Sequence, residues 1–166
     1  GGRLYRVNSD QWGVTVELIV SQIDGRALSC PTAVAAASDG VVYFTDLAAA
    51  RARHGVESAL RTELTAHTGT GSVYIYDPAA RTVETVLTGI AGASGLALDE
   101  AAETLYVSDL GSRCVWAVDT AARDRTAGGK GCSTHLYGLP GYPGALALDA
   151  DGTLYISYRW ARSGWL

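Results

Sequence analysis

The chain has 166 residues, of which 48% are hydrophobic and 18% charged, and a net charge of −4 at neutral pH. That mild acidity, with Lys and Arg scattered, offers no basic stripe for nucleic acid, and no stretch of about 18 or more apolar residues marks a transmembrane helix. Three cysteines and no CxxC spacing argue against a zinc site and leave a disulfide open.

Taken in order, Leu4–Asn8 and Val14–Val20 alternate as two strands joined by a turn. A small apolar run, Ala33–Ala36, leads through Asp39-Gly40 into a strand ending at Asp46. Between Leu47 and Gly69 the alternation stops. There Val56, Ala59, Leu60 and Leu64 recur at helical spacing, with Glu57 and Arg61 four apart, which predicts an amphipathic helix inside an insert covering about residues 48–68. Strands Val73–Asp77 and Val83–Thr88 follow. Gly95–Leu98, Leu105–Asp109, Val115–Asp119 and Thr134–Leu139 then repeat the same order, and Ala145–Leu148 with Leu154–Tyr158 begins it again.

The repeat is the main signal. The tyrosines at 43, 106 and 155 occupy one register position roughly 50 to 60 residues apart, and four strands per repeat make the blade of a β-propeller. The fold class is therefore all-β. Tyr43, Tyr74, Tyr106 and Tyr155 are expected in the blade core. The chain opens on two outer strands and closes on two inner ones, about three blades' worth, whereas a closed ring takes roughly four to eight. Methionine is absent and the chain starts at Gly1-Gly2. These points suggest a piece of a longer propeller chain; the rival is a half-propeller whose terminal strand pairs complete a split blade in a homodimer.

Among reactive side chains, Cys30 and Cys114 read as small core hydrophobes, with a Cys114 to Cys132 bridge left open. His54 and His67 flank the helix too far apart for one metal face, and His135 lies on an outer strand. Ser94 and Ser108 stand outside any Gly-x-Ser-x-Gly. Trp160 and Trp165 follow the last repeat, where a further insert bordering the channel is expected.

Several phrases carry a family resemblance: Ser29-Cys30-Pro31-Thr32-Ala33-Val34, Asp39-Gly40-Val41-Val42-Tyr43-Phe44-Thr45-Asp46, Gly71-Ser72-Val73-Tyr74-Ile75-Tyr76-Asp77-Pro78, and Leu139-Pro140-Gly141-Tyr142-Pro143. From about Gly2 to Tyr158 the chain resembles the strictosidine synthase-like family, with its adipocyte plasma-membrane-associated, gluconolactonase and paraoxonase relatives. The resemblance implies that residues 1–166 are part of one six-bladed propeller domain with a small-molecule site at one channel mouth. It also suggests a secretory or endomembrane compartment. The reaction stays open among three readings: a carbon–nitrogen lyase that condenses amine and aldehyde in a biosynthetic role, a metal-dependent ester or lactone hydrolase, and a degenerate propeller that binds a small ligand or a partner protein.

The resemblance transfers position by position. Where hydrolase relatives have Asn-Asp, this chain has Thr32-Ala33; for Pro-Asn-Gly it has Ala93-Ser94-Gly95, and for Tyr-Pro-Asp-Asn it has Tyr142-Pro143-Gly144-Ala145. Calcium wants about six or more hard oxygens, carboxylates among them. No metal or other cofactor is therefore expected, and Thr32, Ser94 and Gly144 are retained as ligand-binding positions. Asp109 stands where the synthases carry a catalytic glutamate, and is the candidate catalytic acid. Aspartate withdraws the carboxylate by about 1.5 Å, and a displacement near 1 Å costs about 100-fold in rate. The plainer alternative is that Asp109, like Asp46 one repeat earlier, accepts backbone N–H bonds at a turn.

Overall fold

A computed structural model describes residues 2–49, 55–121, 123–129 and 131–161. Strands β1 (Leu4–Asp10) and β2 (Gly13–Val20) form a hairpin whose turn is held by Asp10, the carboxylate accepting the N–H groups of Trp12 and Gly13. Register pairs Tyr5 with Leu18, Val7 with Val16 and Ser9 with Val14. Side chains alternate across a sheet, so these share one face, and the five apolar ones are exposed. Leu4 and Val20, on the other face, pack with Leu28 and Phe44. A miniature hairpin follows, β3 (Gln22–Ile23) and β4 (Arg26–Ala27). Its corner is Asp24-Gly25 with φ of 49° and 76°, as a two-residue turn of type I′ requires.

The first full meander is β5 (Pro31–Ala36), β6 (Val42–Asp46), β7 (Gly71–Asp77) and β8 (Thr82–Ile90), each strand antiparallel to the next. Helix α1 (Gly55–Ala66) lies between β6 and β7 and sets Leu60 against Leu47, Ala48 and Leu110. The second meander is β9 (Ala93–Asp99), β10 (Thr104–Asp109) and β11 (Cys114–Asp119), completed by β13 (Cys132–Leu136) after the short β12 (Arg125–Thr126). β12 leaves its own sheet and pairs in parallel with the outer edge of β8. A last hairpin, β14 (Gly141–Leu148) and β15 (Leu154–Ala161), ends the described chain.

The chain is thus mostly β, and the sheets stack in sequence order. Tyr43, Val73, Ile75, Leu87 and Ile90 of the first meander bury themselves against Leu96, Leu105, Val107 and Val118 of the second. Ala97 and Val115 in turn meet Leu146, Leu154 and Ile156 of the last hairpin. β5, β9 and β14 adjoin one another as the innermost strands. None of the described sheets closes on itself. No described helix is long and apolar enough to cross a membrane.

Some expectations need correction. Tyr155 is 59% exposed where Tyr43 is 5%, because the face of β15 that carries it meets no following sheet in this chain. The outer strand of the second meander runs from Cys132 to Leu136, starting two residues before and ending three before the expected Thr134–Leu139. All three cysteines are free thiols. Register places Cys132 opposite Val118, four residues along β11 from Cys114, about 13 Å of strand. His54 and Trp165 lie outside the described residues.

Candidate functional site

Each inner repeat ends β6 or β10 with a hydroxyl followed by an acid, Thr45-Asp46 and Ser108-Asp109, and successive strand residues point to opposite sides. The hydroxyls face the innermost strands. Thr45 Oγ1 accepts the N–H of Ala33 at 3.0 Å and lies 3.0 Å from Thr32 Oγ1, which donates across to the Ala93 carbonyl at 3.1 Å. One blade on, Ser94 Oγ reaches the Pro143 carbonyl at 2.9 Å and Ser108 Oγ the Gly144 carbonyl at 2.7 Å, with the two hydroxyls 2.9 Å apart. Thr32 and Ser94 therefore stitch neighbouring inner strands together.

The acids turn the other way. Asp46 accepts the N–H groups of Ser29 (3.0 Å) and Cys30 (2.5 Å), tying the entry of β5 to the end of β6. Burial raises its carboxyl above the ordinary value, and those two hydrogen bonds oppose the rise. Asp109 is 1% exposed and accepts the N–H of Ser112 at 3.0 Å and the indole N–H of Trp116 at 3.1 Å. Both of its oxygens thus have protein donors, the arrangement of a turn-holding acid.

Thr32, Ser94 and Gly144 meet at one cavity of ≈ 360 Å³, walled also by Leu47, Ala145, Ser157 and Arg159. Asp109 is not among its walls. Among the described residues, Arg159 is the only charged side chain there. It follows Ser157 by two residues on β15, the spacing that returns a strand side chain to the same face, and its guanidinium lies 5.7 Å from the Trp160 ring. Burial pushes the Cys30 thiol up and Asp46 adds to that push, while Arg159 opposes it.

Burial, with Asp109 and Cys132 nearby, pushes the Cys114 thiol up to about 12. Its thiolate fraction at pH 8 is then of order one in ten thousand, and the thiolate is the nucleophile. Alkylation of the native protein with iodoacetamide at pH 8, read by peptide mapping, is expected to leave Cys114 unmodified until denaturant is added. Labelling of Cys114 at the rate of the half-buried Cys30 would contradict this environment.

Residues 2–163 match the family described as SMP-30/Gluconolactonase/LRE-like region. The chain is 27% identical over 145 residues to strictosidine synthase-like protein 6 of Arabidopsis thaliana, covering 87% of this chain and 36% of that one. A gluconolactonase of Xanthomonas campestris superposes with a TM-score of 0.64 at 25% identity, over 92% of this chain and 48% of its own. A luciferin-regenerating enzyme gives 0.57 at 23% identity, over 87% and 44%. The chain therefore spans about a third to a half of the proteins it resembles. It belongs to the SMP-30/gluconolactonase/LRE-like β-propeller family.

Proposed function

We propose that this chain supplies one wall of a small-molecule site at the channel mouth of a six-bladed propeller, and that the ligand is a small lactone or the hydroxy-acid anion formed from it. The observation that carries this reading is the convergence of Thr32, Ser94 and Gly144 on a cavity whose single charge among the described residues is Arg159. A guanidinium offers paired N–H donors to a carbonyl or carboxylate oxygen, while Leu47 and Ala145 leave room for a carbon skeleton. Family membership and the gluconolactonase relative support the ligand class.

A divalent metal does not fit these residues. Among the described residues the only charged wall is a cation, all three wall hydroxyls donate to backbone carbonyls, and no three His, Cys, Asp or Glu side chains come together. Lactone hydrolysis therefore draws its reacting groups from elsewhere in the site, and this wall binds and orients. The amine–aldehyde condensation reading rests on the strictosidine synthase resemblance and needs Asp109 to reach the ligand. Its engagement by Ser112 and Trp116 favours the lactone reading.

The test is calorimetric titration with gluconate. Arg159→Ala is expected to weaken binding by about 10- to 100-fold, the worth of a hydrogen bond to a charged group at about 1.5–3 kcal/mol. Asp109→Asn is expected to lower thermal stability while leaving gluconate affinity unchanged. Equal affinity for the native chain and Arg159→Ala would overturn the assignment.

A further inference from the structure

A hydroxyl group has one hydrogen to give and two lone pairs with which to receive, so the direction of each bond in the cavity wall fixes what that wall offers a ligand. In the first meander the count of hydrogens closes. Thr45, fully buried, accepts the Ala33 N–H and has Thr32 Oγ1 as its own acceptor at 3.0 Å, and Thr32 passes its hydrogen on to the Ala93 carbonyl at 3.1 Å. Two hydroxyl hydrogens serve two contacts. Thr32 Oγ1 keeps one lone pair uncommitted.

In the second meander the count falls short. Ser94 and Ser108 make three contacts, to the Pro143 carbonyl at 2.9 Å, to the Gly144 carbonyl at 2.7 Å and to each other at 2.9 Å, with only two hydrogens to fill them. Ser108 is fully buried, and its hydrogen goes to Gly144, the shortest of the three. The hydrogen of Ser94 is then claimed twice inside the protein, by the Pro143 carbonyl and by a lone pair of Ser108. Turning it toward a ligand would take it from both, in a seam already one hydrogen short, and an acceptor left unmet costs more than a single new bond returns.

Toward the cavity, Thr32 and Ser94 therefore act as acceptors only. Both line it, and because Thr32 bonds to Ala93, the residue before Ser94, the two hydroxyls sit side by side on the adjoining strands β5 and β9. Arg159 is their opposite, a guanidinium with N–H donors and no lone pair. The wall thus has a fixed polarity, hydrogens from Arg159 and lone pairs from the inner strands.

We propose that Thr32 and Ser94 are specificity-determining residues, selecting ligands that carry hydroxyl hydrogens on the carbon skeleton beside the group held by Arg159. A carboxylate or lactone whose skeleton is bare hydrocarbon is rejected. This selection rests on Arg159 binding the acid or lactone as proposed above. A run of C–H groups displaces solvent from both acceptors and returns no hydrogen to them, a loss that a site built around hydrogen bonds feels far more than an apolar pocket feels a missing methylene.

The test is calorimetric titration of the native chain with gluconate and with hexanoate, which has the same carbon chain and carboxylate but no hydroxyls. Gluconate is expected to bind at least about 10-fold more tightly. Ser94→Ala and Thr32→Val, each checked for folding by its melting curve, are expected to lower gluconate affinity by about 5- to 10-fold and to leave hexanoate within about twofold of native. Equal affinities for the two acids in the native chain, both lost in Arg159→Ala, overturn the selection and leave the Arg159 assignment standing, whether or not the hydroxyl variants fold. A folded Ser94→Ala or Thr32→Val that weakens both acids alike also overturns the selection. A native chain that binds neither acid overturns the Arg159 assignment and the selection together.

Discussion

Gly95→Ala lowers the unfolding temperature by about 6–12 °C, the shift expected for about 3 kcal/mol in a chain of this size. A Cβ at this position would stand 2.2 Å from the Gly144 carbonyl oxygen, 2.9 Å from Ser108 Oγ and 3.0 Å from the Ala145 Cα. Two of those three neighbours are backbone of the next inner strand, so nothing can rotate aside. The strands have to separate, and the Ser94 and Ser108 hydroxyl bonds across the same seam go with them. Gly144→Ala is the control. Its new methyl would meet chiefly the Ser157 hydroxyl at 3.0 Å, an exposed side chain that can turn away, and a cost below about 1 kcal/mol is expected there. Melting curves of the two variants that coincide would disprove the close-packed seam.

Glu63→Ala is the second substitution of large effect, with an expected loss of about 2–4 kcal/mol and a fall of about 5–15 °C in Tm. Glu63 is 1% exposed near the end of α1, yet it is acidic because it caps the segment that follows. Its carboxylate accepts the N–H groups of Gly69 (2.9 Å) and Thr70 (3.1 Å) and the hydroxyls of Thr68 (2.6 Å) and Thr70. Alanine leaves four donors unmet. The two hydroxyls belong to exposed residues and find water, so the two backbone N–H groups dominate the cost. Glu63→Gln keeps the volume but turns an NH2 toward donors, and is expected to fall between alanine and the native chain. Guanidinium unfolding followed by circular dichroism ranks the three; a glutamine variant as stable as the native protein would rule out the cap.

The meanders were legible in the sequence because each copy repeats one alternation and one turn, and Thr32, Ser94 and Gly144 could be placed together because they hold one position in three copies. What escaped had other causes. Asp24-Gly25 is a strong hairpin corner, but its strands are two residues long and show no alternation. β12 depends on a partner, β8, nearly forty residues back, and parallel pairing leaves no local mark. Arg159 lies beyond the repeated phrase, on a strand that runs on to Ala161, and only the alternation from Ser157 could have pointed to it. Asp109 and Asp46 look alike in sequence. Their partners differ because Trp116 reaches back from β11 to Asp109, whereas Asp46 holds the backbone entering β5.

β12 has a mechanical consequence. At their innermost strands, the first and second meanders are pinned by Thr32 reaching the Ala93 carbonyl; at the outer edge, Arg125–Thr126 is laid along β8, and Ala127 donates its N–H to the Thr88 carbonyl at 2.8 Å. Two plates fastened at hub and rim cannot fan apart about either line. Separation of neighbouring sheets is thereby directed to the seams beyond these two, where no such outer strap is found among the described residues.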